Sequence, residues 1–184
     1  MEGLKIWLLT IGATIVYGIA HDQVTARVSI EYFTVGHQEI FQTTSPTLIA
    51  LGWGILATWW VGALMGLIFA LVARFGSRPK TALRELLVPG GVLLACVGFT
   101  ALVAGITGFF AARSGLVSLG GYLAAEVPAG GHARFIADVW AHTASYVAGL
   151  AGGSLLAAWV WIRRGRAMPT VTTPVLSPSP PTSG

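Results

Sequence analysis

Apolar positions dominate four long runs of the chain, 4–20, 48–73, 86–112 and about 139–162, and polar residues collect in the stretches between them. A bilayer core takes about 20 residues of helix, with roughly 17–25 as the usual range. The first run is therefore at the short limit, and the second and third are long enough to tilt or to extend past the core. Backbone in hydrocarbon must satisfy its own hydrogen bonds, and continuous apolar runs of this length do so as helices, whereas barrel strands are shorter and alternate. The pattern predicts an all-α integral membrane protein: a four-helix transmembrane bundle over residues 1–166 with a small polar cap on the outer side. The remainder, 167–184, carries Pro169, Pro174, Pro178, Pro180 and Pro181 among serines and threonines, and is expected to be a disordered cytoplasmic tail.

A different period follows the first run. From Gln23 to Tyr32, the residues Val24, Ala26, Val28, Ile30 and Tyr32 alternate with Gln23, Thr25, Arg27, Ser29 and Glu31. Period two with β-branched residues favours a short strand, pairing through a turn at Gly36 with residues 39–43 as a hairpin. The competing assignment is helix, which sets Arg27 and Glu31 one turn apart. In either case Arg27 and Glu31 are expected to form a structural ion pair that fixes the loop. Ser45 and Pro46 then open the second helix. The third is expected to begin close to Pro89, with residues 84–88 as an interfacial turn.

Composition agrees with a membrane location, since 54% of the 184 residues are hydrophobic and only 10% are charged. The net charge of +4 invites a nucleic-acid partner until its distribution is considered. Lys5, Arg74, Arg78, Lys80, Arg84, Arg163, Arg164 and Arg166 fall on one side of the bundle, against Arg27, Arg113 and Arg134 on the other. By the positive-inside rule both termini and the middle loop are cytoplasmic, in a plasma (inner) membrane. Orientation thus accounts for the basic residues, and no nucleic-acid partner is expected. Gly18-Ile19-Ala20 also resembles a signal-peptidase site. Cleavage there would leave three spans and a new terminus at His21, whereas an uncleaved anchor keeps all four.

Cys96 is the only cysteine, so no intrachain disulfide and no thiolate metal cluster can form. Glycines at helix-packing spacing, Gly62 with Gly66 and Gly149 with Gly153, let helix backbones approach closely. Packing inside the bundle is the expected use, and a homo-oligomer or larger complex through Gly-rich faces is the alternative. Trp59 and Trp60 are expected to fill space near mid-membrane.

The four histidines, His21, His37, His132 and His142, all fall on the predicted outer side, together with Asp22, Glu31 and Asp138. Asp138 and His142 are four apart and share a helix face if the fourth helix begins by Ala137. Imidazole and carboxylate together suit zinc, copper or iron. The candidate metal ligands are His21, His132 and His142, with Asp138 and Asp22 as ligands or as partners that orient them. His37 ranks last because its surroundings define no geometry. A metal centre requires at least three of these residues to bring ligating atoms within about 5 Å of one point. No HExxH, paired Glu-x-x-His, G-x-S-x-G, Walker A or dinucleotide fingerprint occurs. Two classes remain: an accessory or structural membrane protein with an outer-face His/Asp/Glu cluster, and a metal-dependent (Zn, Cu or Fe) membrane enzyme or redox protein using that cluster.

Overall fold

A computed structural model describes residues 1–167 of the chain. The tail expected to be disordered lies, beyond Ala167, outside the described residues. The elements in order are α1 (Glu2–Val28), a single turn α2 (Glu31–Thr34), α3 (Pro46–Leu56), α4 (Trp59–Arg74), α5 (Leu83–Arg113), the short α6 (Gly121–Glu126) and, after a 3-10 turn, α7 (His132–Arg166). Four helical segments are long and apolar enough to cross a membrane: Glu2–Val28, Pro46–Arg74, Leu83–Arg113 and Ala129–Arg166. Their large apolar side chains point outward, with Leu67, Leu71, Phe99, Leu102, Phe110 and Leu155 all exposed. An apolar surface all round a helix bundle is consistent with a lipid environment.

The described residues contain no β-strand, and the strand expected over residues 23–32 is replaced by the end of α1, which runs to Val28, and the start of α2. Alternation misleads here because, Ala26 apart, the buried positions are not the apolar ones. Asp22, Thr25, Ala26 and Ser29 are buried, at the three-and-four spacing of a helix face, whereas Val24 is 61% exposed. The hairpin is absent with the strand. The expected ion pair is absent too: Arg27 reaches back to the Gln23 side chain at 2.8 Å and across to Thr47 Oγ1 at 2.9 Å, while Glu31 accepts the Ser29 hydroxyl at 2.7 Å. Side-chain partners one turn back and on α3 outcompete Glu31, which lies past the end of α1. The third span likewise begins earlier than expected, at Leu83, with Pro89 inside it. The Glu85 side chain returns to the Ala82 N–H at 2.9 Å, capping a first turn upstream of the proline.

α3 and α4 form one broken span. Gly18 and Gly54 meet where the backbones of α1 and α3 touch: a Cβ on Gly54 would fall 2.6 Å from the Ile19 Cα, and one on Gly18 would fall 2.6 Å from the Gly54 carbonyl oxygen. Just beyond this contact the helix is interrupted at Ala57 and Thr58. Broken backbone at membrane depth is tolerated where other groups satisfy it, and the Tyr146 hydroxyl of α7 donates to the Ala57 carbonyl at 3.3 Å. Gly62 and Gly66 continue the same seam against Ile11, Thr14, Trp7 and Thr10 of α1. Trp59 and Trp60, at 49% and 51% exposure, face outward and fill no interior space.

The bundle is thus two tight pairs, α1 with α3–α4 and α5 with α7, which touch each other sparingly. One apolar cluster, of Ile6, Phe69, Ala73, Ala157 and Val160, joins the pairs at the end where α1 begins. A second, of Ala26, Phe33, Ile49 and Ala50, closes the opposite end. Between the two the interior is open.

Candidate metal centre

α1 and α7 come together at the end of the bundle where α1 finishes and α7 starts, and this brings His21 and Asp22 to His142. Among the described residues these three form a group in which one ligand atom of each lies within 4.8 Å of the others. Asp22 is 5% exposed. His142 Nε2 lies 3.3 Å from Asp22 Oδ1, and His142 Nδ1 lies 2.8 Å from the backbone oxygen of Asp138. His21 and His142 meet edge to face, with ring centroids 4.5 Å apart.

The hydrogen bonds determine the chemistry of this pair. The Asp138 carbonyl can only accept, so His142 Nδ1 carries a proton. In the neutral ring Nε2 then presents a lone pair to the Asp22 carboxylate, and two acceptors do not attract. A proton or a metal ion has to lie between them: a proton held by the imidazole gives an ion pair, one held by Asp22 gives a neutral acid–imidazole hydrogen bond, and a metal ion binds both. Two donors each about 2.1 Å from one ion are roughly 3.4 Å apart at a tetrahedral angle, close to the observed 3.3 Å. The longest separation in the group, bounded by 4.8 Å, has to close by about 1.4 Å to reach the same geometry. His21 Nε2 is buried and has no hydrogen-bond partner among the described residues, so no hydrogen bond has to be broken to bring it in.

Aromatic rings enclose the cluster. Tyr32 stacks on His142 at 4.2 Å between centroids, and Tyr17 stacks on His21 at 5.8 Å. Burial pushes the Tyr32 phenol well above the ordinary tyrosine range, with Tyr146, Asp22 and Asp138 adding to the shift. Tyr32 is therefore a neutral wall. His37, ranked last from the sequence, is tied down after all: its Nδ1 lies 2.8 Å from the Tyr32 carbonyl oxygen, and its ring is 4.8 Å from that of Trp53.

Two of the five candidate ligands fall outside the group. His132 Nε2 lies 2.9 Å from the Val127 carbonyl oxygen and closes the turn into α7. Asp138 is 1% exposed and contributes its backbone oxygen to His142, while its side-chain Oδ2 has no partner among the described residues. Asp138 and His142 do share a helix turn, but the carboxylate is not what His142 meets. Ser145, one turn further along α7, is bound to the Tyr17 hydroxyl at 2.7 Å. The enclosing residues Tyr17, Tyr32 and Trp53 were not singled out from the sequence. The only trace of them there is the spacing of Tyr17 and His21, four apart and hence on one helix face.

The cluster stands at the polar end of a cavity of about 400 Å³. Along α1 the cavity runs from Ile6 to Asp22, about 24 Å of helix axis, and its walls are chiefly apolar side chains from α1, α4, α5 and α7. No known protein family, curated protein or solved structure matches the chain.

Proposed function

We propose that the protein is a metal-dependent membrane protein in which His21, His142 and Asp22 bind one transition-metal ion at the polar end of the internal cavity. The observation that carries this is the pair of converging acceptors, His142 Nε2 and Asp22 Oδ1 at 3.3 Å, beside the unpartnered His21 Nε2. Two imidazoles and one carboxylate are the ligand set of non-haem Fe(II) sites with open positions, and they equally suit zinc. Three protein ligands leave coordination positions vacant, and the cavity is where a substrate reaches them. Such a site polarises a bound oxygen or lowers the pKa of bound water. The Nδ1–H of His142, held by the Asp138 carbonyl, fixes the tautomer that directs Nε2 to the metal.

A second reading rests on the same 3.3 Å contact. As an ion pair between imidazolium and carboxylate, it would lock α1 to α7 in an accessory or structural protein. It leaves the buried His21 Nε2 unexplained, and for that reason the metal site is preferred. We further propose that the basic end of the bundle is cytoplasmic, by the eight-to-three division of Lys and Arg, which sets the cluster near the outer surface of a plasma (inner) membrane with α1 retained.

The deciding experiment is metal analysis of protein purified without chelator, together with titration of chelator-treated protein by Zn(II), Fe(II) and Cu(II). One equivalent of metal in the wild type, lost in His142→Ala and His21→Ala, is expected. Substoichiometric metal in the wild type, or equal binding by the variants, overturns the proposal and leaves the ion pair. A reporter fused to the C-terminus, read against one in the loop between α5 and α7, tests orientation separately.

A further inference from the structure

The cavity reaches far beyond what a metal ion needs. Its walls extend from Leu87 and Ile6, near the basic end, past Val61 and Met65 to the His21 cluster. About 400 Å³ drawn out over some 24 Å of helix axis makes a slender channel, and pockets of roughly 300–1,000 Å³ are those that hold small organic ligands. The channel lies between two helix pairs that touch sparingly, inside a bundle whose outer surface is apolar, so a molecule dissolved in the membrane meets it from the side.

The polarity of the walls narrows the occupant. Their length is apolar, which fits a hydrocarbon tail. Among the described residues no Lys or Arg lines the cavity, and Asp22 already balances whatever cation, imidazolium or metal, sits at the His142 end, so an anionic head such as a fatty-acid carboxylate or a phosphate finds no guanidinium or ammonium partner. What the polar end does offer suits a flat neutral head with oxygen acceptors. The stacked pairs Tyr32–His142 and Tyr17–His21 present aromatic surfaces. In the Tyr17–Ser145 hydroxyl pair, at 2.7 Å, one hydroxyl donates to the other and the second proton stays free for a ligand oxygen. We infer that the cavity binds a neutral amphiphile of the quinone class, its tail along the apolar channel and its ring between the aromatic side chains at the His21 end. This goes beyond the metal reading and does not require it.

Two glycines give a way to close the channel. Gly149 and Gly90 line it, and a Cβ added to either meets no heavy atom within 4 Å, so a leucine there projects into open space. The test measures tryptophan quenching and thermal stabilisation of the full chain in nanodiscs, since Trp53 lines the cavity. The titrants are a ubiquinone analogue with a decyl tail, the same ring without a tail, decanoic acid, and decane. Saturable binding of the tailed quinone alone is expected, weakened at least tenfold in Gly149→Leu, with Gly90→Leu as the second variant should the first fail to fold. Quenching that never saturates, or that is equal in wild type and variant, is partition into lipid and overturns the inference; so does preferential binding of decanoic acid. Each titration is repeated on chelator-treated and metal-loaded protein. Metal bound with no saturable quinone defeats this inference alone, and saturable quinone with no metal defeats the metal reading alone.

Discussion

Arg164 and the Asp22–His142 pair lie at opposite ends of one bundle, both buried, and they are treated in opposite ways. The Arg164 side chain is 2% exposed and fully engaged. Its Nε donates to the Pro79 carbonyl at 2.7 Å, one terminal nitrogen to Val72, and the other to Phe75 at 2.9 Å and Arg78 at 3.1 Å. These are carbonyls at and beyond the C-terminus of α4, where a helix lacks internal donors and its dipole favours a cation. Neighbouring contacts add to the latch: Arg163 meets Glu85 at 2.6 Å, and Arg78 donates to the Trp161 carbonyl at 2.8 Å. At the other end His21 Nε2 and Asp138 Oδ2 are buried without partners among the described residues, and His142 faces Asp22 lone pair to carboxylate unless a proton or metal intervenes. A buried polar group with every hydrogen bond made is accounted for by architecture. One left unsatisfied costs about 1–3 kcal/mol and calls for something that binds there.

That contrast breaks most visibly at the arginine. Arg164→Met should lower the unfolding free energy in detergent by about 3 kcal/mol, because the carbonyls that it serves lose charge-assisted hydrogen bonds together. Denaturant titration followed by circular dichroism measures this, and a loss below about 1 kcal/mol would mean that the latch is ornamental. Metal affinity of the folded fraction should be unchanged.

The next effect is on binding and not on stability. Asp22→Ala should weaken metal binding by at least about 100-fold, whereas His132→Ala, which removes only the bond to Val127, should leave it intact; titration calorimetry on both variants discriminates them. A drop with His132→Ala would return that residue to the ligand set.

His21→Leu sharpens the comparison by its sign. Removing a buried atom that has no partner should leave the metal-free protein as stable as before or more stable, by up to about 1 kcal/mol, while metal binding is lost. Clear destabilisation of the metal-free protein would show that His21 holds the structure together as Arg164 does. The smallest effect expected is the coupling between Arg27 and Glu31. With Arg27 held by Gln23 and Thr47, a double-mutant cycle should give an interaction energy within about 0.3 kcal/mol of zero.

Four apolar runs of bilayer length were enough to read four helices long and apolar enough to cross a membrane, because backbone in hydrocarbon must satisfy itself locally and runs of that length do so as helix. His21, Asp22 and His142 were legible as candidates because ionisable residues beside membrane helices are rare. Their meeting was not legible: 120 positions separate Asp22 from His142, and only the docking of α1 on α7 brings them to 3.3 Å. The same docking left His132 bonded to Val127 at its own turn, and Asp138 meets His142 through its backbone oxygen and not its carboxylate. Periodicity failed at residues 23–32 because it assumes that burial follows hydrophobicity, and at this end of the bundle the buried face is Asp22, Thr25 and Ala26 of α1 with Ser29 just past its end. Arg164 is readable in sequence as one more positive charge after the last span. Its role as a cap arises only where the end of α4 is folded against α7, since a helix's unpaired carbonyls are local to it but the donor that reaches them comes from nearly a hundred residues away.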